Sequence, residues 1–314
     1  MTDRFSPITV SAPGSIMLFG EHAVLHGTPA VVAAIDERVR VTLTPCSDAS
    51  VNISSKLFET IETDISHLNV IESIHKARFV HAAIQLFKDQ IPSGFHLEIV
   101  SAFSDQMGLG SSAAVTVAVV GAFQQWLVGH LDLYAIFKKS RAVIHTVQGI
   151  GSCSDVAAST FGGILCYQPD PFSVEKIIAN PSLHLIYSGY KTPTVEVVRQ
   201  VEARVKEEPE FMRRLFQRIG AYTVLGAKYL QQADWKRLGR VFTKHQQLQK
   251  KMGVSDTTLD ALIANAMAQP GVFGAKISGA GLGDCIVVLG DLKESAVPSI
   301  CVIPSKEGIQ VQKI

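Results

Sequence analysis

The sequence predicts an α+β protein built as two layered units. In its first half, short runs rich in Val and Ile, broken by turn residues, precede the helices. In its second half, long segments of helical period dominate and short apolar runs close the chain. A length of 314 residues suits one large domain or two ordinary ones.

In chain order, residues 8–12, 15–20, 30–35 and 38–44 read as strands. Residues 79–88 carry helical spacing, and 95–101 alternate as a strand. Helices follow over 111–126 and 131–147, and Gly162-Gly163 leads into a strand at 164–167. Residues 168–181 hold Pro169, Pro171 and Pro181 and little periodicity, so the boundary belongs there, between units 1–172 and 173–314. Beyond a strand at 183–187 come helices over 194–206, 209–232, 235–252 and 257–268, the last introduced by Ser255-Asp256 as a cap. Strands at 272–277 and 285–289, a short helix and a final strand at 309–312 complete the layered unit.

Composition narrows the function. With 47% hydrophobic and 18% charged residues the chain is compact rather than disordered. A formal net charge of +1 gives no field that draws it to nucleic acid or to anionic membrane. Five scattered cysteines without a CxxC pair indicate a reduced cytoplasmic protein, with neither zinc nor disulfides. The polar start Met1-Thr2-Asp3-Arg4 is no signal peptide. The longest apolar run, near 113–123, is interrupted by Thr116 and falls short of a membrane span.

The chemistry centres on Gly108-Leu109-Gly110-Ser111-Ser112-Ala113-Ala114. A strand, a glycine turn and a helix start leave backbone N–H groups unpaired, with the positive end of the helix dipole behind them, and such a site attracts phosphate. No Lys follows the glycines, so this is not the Walker loop. On these residues alone the turn serves equally well as a capped helix packed tightly on a sheet. Three other segments accompany it. Ala12-Pro13-Gly14-Ser15 leads through a strand to Gly20-Glu21-His22-Ala23-Val24-Leu25-His26-Gly27. Gly149 to Asp155 opens a helix that ends at Gly162-Gly163, and Lys276-Ile277-Ser278-Gly279-Ala280-Gly281-Leu282-Gly283-Asp284-Cys285 forms a second glycine cluster. By itself Asp155 could cap a helix among Ser152, Ser154 and Ser159, and His22 could be a core histidine bonded to a carbonyl.

Taken in order along nearly the whole chain, these motifs resemble those of the GHMP kinases, the small-molecule kinases for galactose, homoserine, mevalonate and phosphomevalonate. The resemblance implies an N-terminal domain of ribosomal-S5-like topology, a C-terminal ferredoxin-like domain and an active site between them. It implies that Gly108, Leu109, Gly110, Ser111, Ser112 and Ala113 hold the ATP triphosphate, with Ser112 also a ligand of Mg2+. Gly279, Ala280, Gly281 and Gly283 would close over the phosphates. Asp155 matches the catalytic aspartate of mevalonate kinases, which takes the proton of the attacking hydroxyl. Glu21, His22, Ser15 and Ser278 would border the substrate, whereas His26 reads as a turn residue. Mevalonate kinases are often homodimers, but no exposed stripe in this sequence identifies an interface for one.

Two positions depart from mevalonate kinases. Ser15 stands where they carry Lys, and Ile144, beside His145, stands where they place a magnesium-binding Glu. Magnesium would then rely on Ser112, the ATP phosphates, waters and Asp155. The first motif is most like mevalonate kinases, while the second-half motifs are closer to phosphomevalonate kinases. A phosphorylated substrate calls for further cations, and Arg38, Lys56, Arg78, Arg141 and Lys191 are the candidates. Mevalonate is the favoured acceptor. Phosphomevalonate, a sugar, or a weakened relative that binds nucleotide as a regulator are the alternatives.

Overall fold

The computed structural model describes residues 5–104, 107–293 and 299–312. Strand β1 (Ile8–Phe19) runs unbroken through both strands expected at the N-terminus, and β2 (Ala30–Pro45) does the same for the next two. Pro13-Gly14 and Asp36-Glu37, which read as breaks, are instead a register shift between the two paired strands. β1 sends Val10 and Ala12 into one core and Ile16, Leu18 and Phe19 into another. A hairpin of β3 (Ser50–Ser55) and β4 (Phe58–Asp64) escapes the sequence reading because its outer face is Ser, Asn, Glu and Thr. Val51, Ile53 and Ile61 of these strands are buried in the core, with Phe58 half-buried against it.

Helix α1 (Arg78–Gln85) leads to β5 (Phe95–Ser101), which pairs with β2 and lies parallel to β3. Helices α2 (Ser111–Val128), α3 (Leu133–Gln148) and α4 (Ser154–Phe161) follow, then the hairpin β6 (Ile164–Pro169) and β7 (Phe172–Ile177). α2 is long and apolar enough to cross a membrane by length and composition. It packs on β1 and β2 with α1, α3 and α4 around it, which explains its apolar residues on every side. The boundary expected at 172/173 falls at the head of β7, which pairs with β6.

The second sheet begins with β8 (Leu183–Tyr187). Helices α5 (Thr194–Glu207), α6 (Pro209–Gln231), α7 (Trp235–Met252) and α8 (Thr257–Met267) intervene before β9 (Val272–Ser278), β10 (Cys285–Gly290) and β11 (Ser299–Val302). α8 is capped by Asp256, whose carboxylate accepts from Thr258 and Leu259 N–H. The antiparallel order is β11-β8-β10-β9. The short helix anticipated after β10 does not occur among the described residues, where β11 runs; residues 294–298 lie outside them. The last strand, β12 (Gln310–Gln312), returns to the first sheet beside β1.

β10 is buried on both faces, and its alternation divides two cores. Ile286 and Val288 meet α8 residues such as Leu259. Cys285, Val287 and Leu289 join Ile16, Phe19 and Val31 of the first sheet and Phe242 of α7. An apolar core therefore holds the two sheets in fixed relation, and the candidate site lies where they meet.

Candidate active site

The glycine turn before α2 stands against β1. Ser15 N–H donates to Leu109 C=O at 3.0 Å. Gly108 and Gly110 both have φ +67°, a conformation that favours glycine. The space beside them is also taken. A Cβ on Gly110 would lie 2.4 Å from Ser15 Oγ, and one on Gly108 would lie 2.8 Å from Asp284 Cγ. Ser111 and Ser112 begin α2 and share a cavity wall with Gly108, Gly110, Gly279 and Ala280. The free N–H groups and dipole of an 18-residue helix thus meet that cavity.

Asp155 enters the same cavity from the first turn of α4. α4 is anchored on β1 because Ser159 Oγ donates to Pro13 C=O at 2.7 Å, and Tyr167 Oη fixes the preceding loop through Ser152 C=O at 2.6 Å. The Asp155 carboxylate accepts Val156 N–H at 2.9 Å, and among the described residues no Lys or Arg forms an ion pair with it. Burial raises its pKa above the ordinary aspartate value, partly opposed by that N–H. A Cβ on Gly110 would sit 3.5 Å from Asp155 Cβ, so this carboxylate lies just across the glycine turn. Ser152, Ser154 and Ser159 bond to other partners, and none of them pairs with the Asp155 carboxylate among the described residues.

Glu21 forms part of the cavity wall, but its carboxylate is engaged by the Lys276 ammonium. Lys276 also donates to Ile277 C=O. His245 Nε2 accepts Gly20 N–H at 3.2 Å, so that nitrogen carries no proton, and it lies 3.5 Å from Glu21 Oε2. Burial raises the pKa of Glu21 and lowers that of Lys276, each shift opposed by the attraction between the two. His22 Nε2 donates to Ala280 C=O at 2.7 Å, as a buried histidine would, and the residue also lines the cavity. Burial lowers its pKa, which keeps the ring neutral.

The second glycine cluster divides in role. Gly279 and Ala280 face the cavity. At Gly281 a Cβ would lie 2.3 Å from Val254 C=O, and at Gly283 (φ +130°) it would lie 2.9 Å from Tyr190 C=O, so these two permit close packing of backbones. Leu109 and Ala113 are buried in the cores. Ser278 Oγ donates to Met17 C=O at 3.0 Å and joins the sheets beside the cavity rather than lining it. Ile144 does line it, at the position expected to lack a carboxylate. His26 does more than turn the chain: it stacks on Phe216 at 4.2 Å and meets Glu202 at 3.0 Å.

Of the candidate cations, Lys191 reaches this cavity and Lys56 and Arg78 line an adjoining cleft. Arg38 is spent on Ser11, Ser305 and Gly308 and does not line the cavity. Sequence reasoning gave no role to Lys276, His245 or Asp284. A lysine within the apolar run of β9 was the available signal, since a buried ammonium needs a partner.

Family models match the chain twice: the GHMP kinases N terminal domain over residues 78–163 and the GHMP kinases C terminal domain over residues 227–298. A curated relative from Archaeoglobus fulgidus, named mevalonate kinase, is 35% identical over 304 residues, covering 96% of this chain and 99% of its own. A second, from Thermococcus sibiricus and of the same name, is 31% identical over 98% of this chain and 99% of its own. The crystal structure of the Methanococcus jannaschii mevalonate kinase superposes with a TM-score of 0.80 over 98% of this chain and 99% of that one, at 22% identity. That last likeness concerns the fold.

Proposed function

Since this chain belongs to the GHMP kinase family, we propose that it transfers the terminal phosphoryl group of ATP to a hydroxyl of mevalonate. Convergence of the helix start at Ser111-Ser112 and the buried Asp155 on one cavity carries the reaction class. Full-length likeness to mevalonate kinases carries the acceptor.

Phosphoryl transfer depends on positioning and charge stabilisation more than on covalent help. The α2 N-terminus holds the phosphates through backbone N–H groups, and the glycines let those phosphates approach the backbone. Asp155 accepts a hydrogen bond from the acceptor hydroxyl and then its proton. His22 and Ser15 border the acceptor, and Glu21 keeps His22 in place by anchoring the turn that carries it. Among the described residues no cluster of three or more His, Cys, Asp or Glu could hold a metal on protein ligands alone. Ser112 and Asp155, which line the same cavity, would hold magnesium together with phosphate and water oxygens, in keeping with its preference for oxygen. Bound there, it would screen the charge on the phosphates. Cytoplasmic placement rests on the scattered cysteines, and homodimerisation on the family resemblance.

ADP release measured with mevalonate, phosphomevalonate and galactose tests the acceptor. Turnover should be highest on mevalonate. Higher kcat/KM on phosphomevalonate or galactose overturns the assignment, and nucleotide binding without turnover on any of them points to a regulator.

A further inference from the structure

The cavity that holds Asp155 adjoins a wider cleft lined by Lys56, Arg78 and Phe79. Ser111, Ser112, Gln148, Lys191, Thr194 and Val195 wall both. A nucleotide in the cleft would reach the acceptor only across this shared wall. The passage is poor in positive charge. Glu21, Asp155 and Asp284 contribute carboxyl groups to the cavity, and Glu21 is matched by the buried Lys276. Among the described lining residues of the cavity, Lys191 is the one Lys or Arg.

Lys191 is delivered there by design of the backbone. The strap at 188–192 lies on the second glycine cluster: Ser188 N–H donates to Asp284 C=O at 2.8 Å, and Asp284 N–H donates to Tyr190 C=O at 2.9 Å. Gly283 permits this approach, because a Cβ there would come within 3.2 Å of Lys191 Cα. Asp284 holds the ammonium by charge, Nζ to Oδ1 being 3.8 Å, too long for a hydrogen bond. That carboxylate is itself buried, with Oδ1 lacking a hydrogen bond, and it touches the space beside Gly108 of the triphosphate turn. The pair is a charge contact that places the ammonium at the cavity wall, where a phosphate oxygen can meet it.

We propose that Lys191 is a catalytic residue that binds the terminal phosphate of ATP and neutralises the charge it carries during transfer, with Asp284 as its positioning residue. This rests on the kinase reading above. As the bond from the acceptor oxygen to phosphorus forms, the bond from phosphorus to the bridging oxygen breaks. The hydroxyl proton passes to Asp155, ADP keeps the electron pair, and Lys191 remains protonated throughout.

Lys191→Met should lower kcat about 10²–10³-fold, with the KM for mevalonate nearly unchanged. Lys191→Arg, which keeps the charge, should retain at least about a tenth of wild-type kcat. Calorimetry supplies a readout independent of the acceptor: Lys191→Met should weaken a non-hydrolysable ATP analogue about tenfold while leaving ADP unchanged. The substitution leaves the buried Asp284 carboxylate without its cation, so rates and affinities are compared at a temperature below the melting of both proteins. A kcat within about threefold of wild type in Lys191→Met, equal losses in both variants, or equal weakening of ADP and analogue overturns the proposal. A wild type that phosphorylates no mevalonate, with selective weakening of the analogue intact in Lys191→Met, overturns the acceptor assignment and leaves Lys191 at the terminal phosphate.

Discussion

Burial raises the pKa of Asp155 above 3.8, and a base must be ionised to take a proton from the acceptor hydroxyl. The acid limb of the kcat/KM profile, which reports the free enzyme, should therefore lie above the ordinary carboxylate range. Asp155→Asn should lower kcat about 10³-fold and remove that limb. Stability should respond in the opposite sense. The folded state binds this proton more tightly than the unfolded one, so the contribution is fully present below 3.8 and is lost as pH rises through the folded pKa. At neutral pH the wild type carries that cost and the Asn variant does not. Thermal melting at pH 7 should thus show Asp155→Asn no less stable than wild type, and a lower melting temperature would contradict the burial argument. Asp155, Ser112 and the glycine turns were singled out in the sequence because their motifs resemble those of a known family, and the fold brings Asp155, Ser112, Gly108, Gly110 and Gly279 to one cavity. Lys276, His245 and Asp284 were not, because their meaning comes from partners remote in sequence, such as Glu21, 255 residues from Lys276.

At the scale of elements, α7 and β9 approach so closely that Gly239 has backbone as its neighbour. A Cβ there would lie 2.0 Å from Phe273 C=O, and Gly274 faces it in turn, with Gly239 C=O 2.7 Å from its own missing Cβ. Neither backbone can yield without breaking the pairing of β9 with β10. Gly239→Ala should cost about 3 kcal/mol, read as a lower midpoint in urea unfolding. Long helices were legible in the sequence, α6 and α7 by their helical period and α2 by an apolar run too long for a strand. The β3–β4 hairpin and β11 were not, since strands with one wet face and few apolar residues resemble loops until a sheet supplies their partners.

Across the whole molecule, two sheets meet through one buried ionic cluster embedded in an apolar core. Glu21 follows β1, Lys276 lies on β9 and His245 on α7, and all are sealed from solvent. Lys276→Met leaves the Glu21 carboxylate buried without its cation, and should cost about 3–5 kcal/mol. Adding Glu21→Gln to it should recover much of that loss, since a neutral amide carries no uncompensated charge. The double variant also separates structure from chemistry, because it retains Asp155 and the glycine turn. His245 gives the same junction its pH dependence. Burial holds its pKa well below 6.5, whereas the unfolded chain takes up a proton near that value. The unfolded state thus binds more protons, so stability is full above 6.5 and falls as pH drops below it. Burial of His22 acts in the same direction. Urea midpoints taken from pH 7.5 down to 5.5 should fall steadily for the wild type and less steeply for His245→Gln. If both fall in parallel, the acid sensitivity originates elsewhere and this junction is not what couples the two sheets to pH.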